Sequence, residues 1–359
     1  MLMPYIPLTS HATLLASVRR RRVMAGATEV LVTEGQRVAS GDVIARGEVT
    51  DAHQLLDLAA RIGVRADKLE PYLLKREGDL IKKGEAVARK RGLLGTSRSA
   101  TAPADSRLVL LDGGKALLAS VRPVELRAGL PGTVVGPTNG GVVTIETAGA
   151  VLSGVWGNGR DDFSVLRMLT AEPGTVLHGG LLEASLRGAI VAGGSVLDAG
   201  FFEGLAEIEV SGLILGRIST GLLAAAEKAP FPVLVVEGFG EGGFSLPVFA
   251  LLNGNSGREV WLNACAWDRN GSDRPEAIIP LPANNAPLLP VGGPLVEGKR
   301  VRILRGPEAG RVGHITGLSD RPMLLPSGIR ARLAVIALDD VPGQRPTVSA
   351  PFANLELLI

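Results

Sequence analysis

VTEGQRVASGDVIARG, residues 32–47, returns as KREGDLIKKGEAVARK at residues 75–90, 43 positions further along the chain. Glu34-Gly35 matches Glu77-Gly78, Val38 matches Ile81, Gly41 matches Gly84, and Val43-Ile44-Ala45 matches Ala86-Val87-Ala88. Each copy reads as a short strand, a glycine turn, an apolar inward residue, a second glycine turn and another strand. Glycine adopts positive φ without a Cβ clash, so two glycines at this spacing suit a hairpin with two tight bends. The stretch therefore announces a duplicated β module, with residues 51–74 inserted between the copies.

The totals agree with a β-rich, multi-domain chain. A length of 359 residues suits roughly two to four domains. With 47 glycines and 23 prolines, about one residue in five can punctuate a turn, which favours many short strands over long helices. Cys265 is the single cysteine, which excludes an intrachain disulfide and a cysteine-based metal centre within one chain. A reducing cytoplasm is the expected compartment. No basic leader precedes an apolar run, and no uncharged apolar run reaches about 18 residues, so no membrane span is expected.

The net charge of +2 is unevenly spread. Residues 1–130 hold 21 Lys+Arg against 14 Asp+Glu, residues 131–290 hold 8 against 16, and residues 291–359 hold 9 against 6. Basic ends around an acidic middle suit contacts between domains or an anionic partner. Arg19-Arg20-Arg21-Arg22, the densest run, reads as a solvated edge that discourages strand pairing, with a phosphate or acidic-protein contact as the alternative.

Around the repeat, residues 20–125 resemble the biotinyl/lipoyl-like barrel-sandwich fold. The likeness lies in the paired half-motifs (Glu34-Gly35, Val38, Gly41-Asp42 through Ala45, and their second copy) and in the Ala102-Pro103-Ala104-Asp105 strand that follows. Carriers of that family modify a lysine in a Met-Lys-Met or Asp-Lys-Ala hairpin. Here Asp67-Lys68-Leu69 falls in the insert, and Lys115-Ala116 follows Gly114. The resemblance thus implies an unmodified structural or docking module. Within the insert, Leu55, Leu58, Ala59 and Ile62 recur at helical spacing, with Asp51 as cap, Gly63 as stop and a second short helix over 66–74.

Residues 126–180 read as a small β unit, with Val134-Val135 and residues 142–145 joined by the Asn139-Gly140-Gly141 turn. Trp156 reads as a cover for a barrel end. From residue 181 the pattern alternates strand and helix. Continuous apolar runs at 188–192, 212–215 and 233–236 suit a parallel βαβαβ element covered on both faces. Ligands usually bind where such strands end. Arriving there are Gly193, Gly194, Ser195, Arg217, Ser219, Thr220 and Glu237, a candidate set for a small anion or nucleotide. Neither GxGxxG nor GxxxxGK[ST] occurs, and the three hydroxyl residues also suit helix caps. A concave pocket there would favour a ligand, whereas capping by Trp261 and Trp267 would not.

A β extension to residue 282 follows, with strands expected at 247–252 and 258–266 and Arg274 paired to Glu276. Residues 283–293, holding Asn284, Asn285, Pro287 and Pro290, read as a linker. The tail, VEGKRVRILRGPEAGRVGHITGL at residues 296–318, resembles a KOW motif, the SH3-like β element of NusG-type elongation factors and several ribosomal proteins. Gly298, Gly306-Pro307, Gly310, Gly313 and the alternation of Val301 and Ile303 with Arg300 and Arg302 carry the likeness. It implies a terminal barrel over 294–359 that touches protein or RNA, with Lys299, Arg300, Arg302, Arg305 and Arg311 as contacts. No aromatic lies among them for base stacking.

Chemistry of other kinds is not signalled. His11, His53, His178 and His314 have no metal-ligand spacing, and no GxSxG elbow occurs. Asp161-Asp162 suits a cap for a helix over 163–169, with Mg²⁺ as the sharper alternative. No cofactor is expected. The residues describe a non-enzymatic scaffold or adaptor that binds protein or ribonucleoprotein partners. Anion or nucleotide binding at the α/β strand ends and RNA binding through the KOW element are the alternatives.

Overall fold

The computed structural model describes residues 5–6, 9–10, 12–24, 27–91, 96–138, 140–267, 274–283, 285–289, 292–308, 311–339 and 346–358. Asn139, Asn284, Pro290, Gly310 and His11, named above, lie outside them. The described chain is mainly β, arranged in several sheets around five apolar cores.

The repeat is a duplication of turn hydrogen bonds, not of hairpins: Arg37–Val38 pairs with Gly132–Val134 and Leu80–Ile81 with Ser106–Asp112, so the strands of each copy join different neighbours. In copy one, Gln36 N–H donates to the Thr33 carbonyl (3.1 Å), Asp42 N–H donates to the Ala39 carbonyl (3.1 Å), and the Asp42 carboxylate accepts from Ala39 N–H (2.8 Å). In copy two, 43 residues on, Asp79 donates to Arg76 (3.1 Å), Glu85 to Lys82 (2.9 Å), and the Glu85 carboxylate accepts from Lys82 N–H (2.9 Å). Gly35 and Gly78 sit at φ 83° and 93°. Each also donates to an equivalent carbonyl, that of Val134 (2.9 Å) or Leu108 (2.7 Å).

The two copies nevertheless pack in different cores. Val38 and Ile44 of copy one join Ala16, Val18, Ile145 and Trp261 in the body. Ile81, Val87 and Ala88 of copy two join Leu58, Ile62, Leu108 and Leu118 in a separate core. Strands Val43–Asp57 and Lys115–Arg127 connect the two as one antiparallel ribbon, in register from Arg127↔Val43 to Lys115↔Asp57. We call the far end of this ribbon the arm.

The ribbon corrects the expected helical insert. Residues 51–57 are strand, and Asp51 faces Arg122 (Oδ1 to Nε 2.9 Å) instead of capping a helix. The helix, α1, spans only Leu58–Ile62, with Asp57 accepting from Ala60 N–H (2.9 Å). Gly63 does end it, in the left-handed conformation (φ 67°). Two 3₁₀ turns, Ala66–Lys68 and Glu70–Tyr72, replace the second helix.

The body is one sheet that runs through both the expected β unit and the α/β element. Strands Ile190–Val196, Gly212–Ile218 and Val233–Phe239 are parallel, as expected. The first is also parallel to the end of strand Asp161–Met168, which continues antiparallel through Glu259–Asn263, Glu276–Pro280, Val142–Ser153 and Gly132–Val134 to Arg37–Val38. Residues 126–180 are therefore not a unit of their own. Trp156 pairs with Val235 at the sheet's other end.

Both faces of the parallel strands are covered. Val191, Leu213, Leu215, Val233 and Val235 face Phe201, Phe202 and Leu205 of α2 (Gly200–Ile208) and Ala226 of α3 (Leu223–Lys228). Ile190, Ala192, Ile214, Leu234 and Val236 face Val248, Leu251 and Leu252 of α4 (Leu246–Gly254). The expected strand at 247–252 is thus a helix: Pro247 sits in its first turn, where its missing N–H costs nothing, and the sheet face needs a cover.

Arg19–Arg22 lie in strand Ala12–Val23, whose strand partner among the described residues is Val142–Ser153 alone, so the run sits at a sheet edge as expected. Arg20 binds Glu276, and Arg22 binds Asp161 (2.6 Å) while stacking over Trp261. The expected linker is also docked: Ser17 N–H donates to the Pro287 carbonyl (2.8 Å), and Gly293–Pro294 pairs with Tyr5–Ile6.

The C-terminal unit is a six-stranded sheet in the order Thr9–Ser10, Leu355–Leu358, Arg300–Ile303, Val312–Leu318, Leu333–Leu338, Thr347–Pro351. The start of the chain therefore completes its end. Among the described residues, no helix is long and apolar enough to cross a membrane.

Candidate functional site

The strand ends expected to receive a ligand are closed by the chain itself. Val176–Leu177 adds in parallel beside Ser195 and Val196, and Phe244 N–H donates to the Pro173 carbonyl (2.9 Å). The glycines there admit backbone, not ligand. A Cβ on Gly194 would lie 2.6 Å from the Thr175 carbonyl oxygen, and one on Gly243 would lie 1.9 Å from that of Pro173.

Gly193, Gly194 and Ser195 are therefore buried strand residues. Arg217 is half-buried in the next strand, and Ser219 and Thr220 are exposed at a 3₁₀ turn without a side-chain cap bond. At the start of α2, Phe201 N–H is already accepted by the Asp198 carboxylate (3.2 Å). The set does not converge on an anion cradle. Neither tryptophan supplies the cap: Trp261 is in the body core, and Trp267 lies under the Arg274 guanidinium (4.7 Å).

Glu237 has a different role. Its carboxylate accepts from Ser245 N–H (2.8 Å) and from Arg302 Nη1 (3.2 Å), and Arg302 also donates to the Val236 and Glu237 carbonyls (3.1 and 3.2 Å). Arg302 belongs to the C-terminal sheet. Its Nε lies 3.2 Å from Glu356, which in turn faces Arg274 (2.5 Å), and Arg274 donates to the Gly154 carbonyl (2.7 Å). With the neighbouring Arg20–Glu276 pair, three guanidinium groups meet three carboxylates.

Glu237, Glu356 and Arg302 are nearly inaccessible to water. Burial pushes the Arg274 pKa down and Glu356 opposes that shift. The expected anion residue and the expected RNA residue are thus partners in one clamp between the body and the C-terminal unit. Arg302 is corrected from surface contact to buried clamp because the second face of its strand packs on the strand ends. The expected Arg274–Glu276 pair is corrected too, each residue being matched elsewhere.

A crevice of about 240 Å³ opens beside the clamp, between the 233–239 strand, α4 and the C-terminal sheet. Its charged groups are matched within the protein: Glu237 and Arg302 by the clamp, Arg300 by Asp339 (3.1 Å). Of the remaining tail cations, Arg311 pairs with Glu308, while Lys299 and Arg305 are exposed.

Asp161 and Asp162 lie in a strand, not before a helix, so successive side chains point to opposite faces and cannot share an ion. Asp161 serves Arg22 and Trp261; Asp162 accepts from Phe163 N–H, and burial raises its pKa. No group of three His, Cys, Asp or Glu among the described residues is placed to hold a metal.

What the sequence reading missed is Glu356, and with it the clamp. Its one local signal is an acid inside the apolar run Leu355-Glu356-Leu357-Leu358. The other missed feature is the basic hairpin of the arm, strands Ala86–Arg91 and Ser97–Thr101. No protein-family model matches this chain, and no curated protein matches it.

Proposed function

We propose that this chain is a non-enzymatic adaptor: a clamped body that carries a β arm for contact with protein or ribonucleoprotein partners. The clamp is the observation that carries the reading. The charged residues best placed for chemistry, Glu237 and Arg302, are neutralised against each other in joining the C-terminal unit to the body. Breaking such a buried pair by removing one partner typically costs about 3–5 kcal/mol, so these groups serve cohesion.

On this reading residues 20–125 are an unmodified barrel-sandwich-like module whose far end is the arm, and the C-terminal unit is a KOW-type, SH3-like barrel. The arm's separate core and long ribbon suit a presenting role. Native purification at low salt, with mass spectrometry of what co-elutes, tests the reading. Co-eluting protein or ribonucleoprotein is expected. A stoichiometric bound metabolite that the protein turns over would overturn it.

A further inference from the structure

We infer that the outer face of the arm hairpin, carrying Arg89, Arg91, Ser97 and Ser99, binds the phosphate backbone of RNA. The inference rests on the adaptor reading and names its contact. In the hairpin Arg89 pairs with Ser99, Lys90 with Arg98 and Arg91 with Ser97. Directly opposed residues share a face and successive ones alternate, so Arg89, Arg91, Ser97 and Ser99 lie on one side. Lys90 and Arg98 lie on the other, with the buried Ala88 and Ala100.

The inner cations have a structural task. Lys90 Nζ donates to the Gly63 carbonyl (3.1 Å) at the end of α1. The Arg98 guanidinium occupies the space that a side chain at residue 63 would take, 2.7 Å from a Cβ there. The outer face has no such task. Arg89, Arg91, Ser97 and Ser99 are all exposed, and neither arginine has a partner among the described residues.

The hairpin itself carries no acid. Residues 86–104 contain four Lys+Arg and no Asp or Glu. The flanking acids in sequence are already engaged, Glu85 by Lys75 and Asp105 by the Lys83 N–H and by Lys82, and these contacts lower both carboxyl pKa values. The duplication supplies an internal control. The copy-one equivalents of Arg89 and Arg91 are Arg46, matched by Glu125 (3.0 Å), and Glu48, matched by Arg107 (2.6 Å). Only in the arm is the face left positive.

Chemistry favours a polynucleotide over a protein. Guanidinium and hydroxyl groups are the side chains that position phosphates. The four residues offer no apolar anchor of the kind that dominates protein hot spots. They also offer no ring for stacking, so the contact reads charge and spacing without reading sequence.

The test is fluorescence anisotropy of the full chain with a labelled single-stranded RNA of about 20 nucleotides, longer than one site, across a salt series. Binding that weakens with salt is expected, and Arg89→Ser with Arg91→Ser should flatten the slope of log K against log salt by about 1.5. Arg89→Lys with Arg91→Lys should keep binding. Lys299→Ala with Arg305→Ala should leave the slope unchanged. Circular dichroism of the serine variant should match the parent, because both side chains are exposed.

No RNA binding at low salt would overturn the inference. So would a slope flattened only by the Lys299/Arg305 variant, or binding to phosphatidylserine vesicles in place of RNA. A chain that co-purifies with a protein partner yet ignores RNA would sink this inference and leave the adaptor reading intact.

Discussion

The two copies of the repeat share a hydrogen-bond pattern and almost nothing else. Copy one packs in the body core; its first strand joins the body sheet, its second opens the ribbon, and there Arg46 is matched by Glu125 and Glu48 by Arg107. Copy two is the floor of the arm, and its return strand carries unmatched arginines into solvent. Local sequence therefore determines the turns, whereas the surrounding chain determines which strands pair, which faces are buried and which are left for a partner. Duplication supplied one solution to turning the backbone, and divergence outside the turns gave the copies separate tasks.

The largest effects should separate the body from the arm. Arg302→Ala leaves Glu237 and Glu356 buried with reduced compensation and should destabilise the junction by about 3–5 kcal/mol, read as a lower denaturation midpoint. Hydrogen exchange in residues 86–101 should be unaffected by it at low denaturant. Ile44→Ala, in the body core, should cost about 2–5 kcal/mol, whereas Leu108→Ala, in the arm core, should cost as much but loosen only amides within 54–118. Equal loosening everywhere would mean that the two cores unfold as one.

Smaller effects should show what the copies still have in common. Gly35→Ala and Gly78→Ala each place a side chain at positive φ with open space around it, so each should cost about 1–2 kcal/mol. Unequal costs would show that the turns are no longer equivalent. The smallest effect is electrostatic. The hydrogen bond from Lys75 holds the Glu85 pKa below the usual glutamate range. A depressed folded-state pKa stabilises above the unfolded value, and that contribution is lost as pH falls through the folded one. Protection factors in the arm, corrected for intrinsic exchange, should therefore fall as the pH drops below the ordinary glutamate pKa, and Glu85→Gln should blunt that response.

Features of short range were legible in the sequence. The 43-residue offset located two equivalent pairs of turns, Gly63 ended its helix, and three apolar runs became parallel strands. Short apolar segments were not legible. LPVFALLNG is apolar all round, so periodicity could not separate a strand from α4. Asp57, rather than Asp51, caps α1 because the ribbon runs seven residues further than the copy-one motif implied. The clamp was out of reach for another reason: Glu237 and Glu356 lie 119 positions apart, and only the packing of the two units brings them to Arg302.

The most direct test of the division between a closed body and a presenting arm is hydrogen exchange of the full chain with and without RNA. RNA should slow exchange over 86–91 and 97–101 and leave 193–195, 217, 237 and 299–308 unchanged. Protection confined to the C-terminal unit or the strand ends, with the arm unchanged, would contradict it.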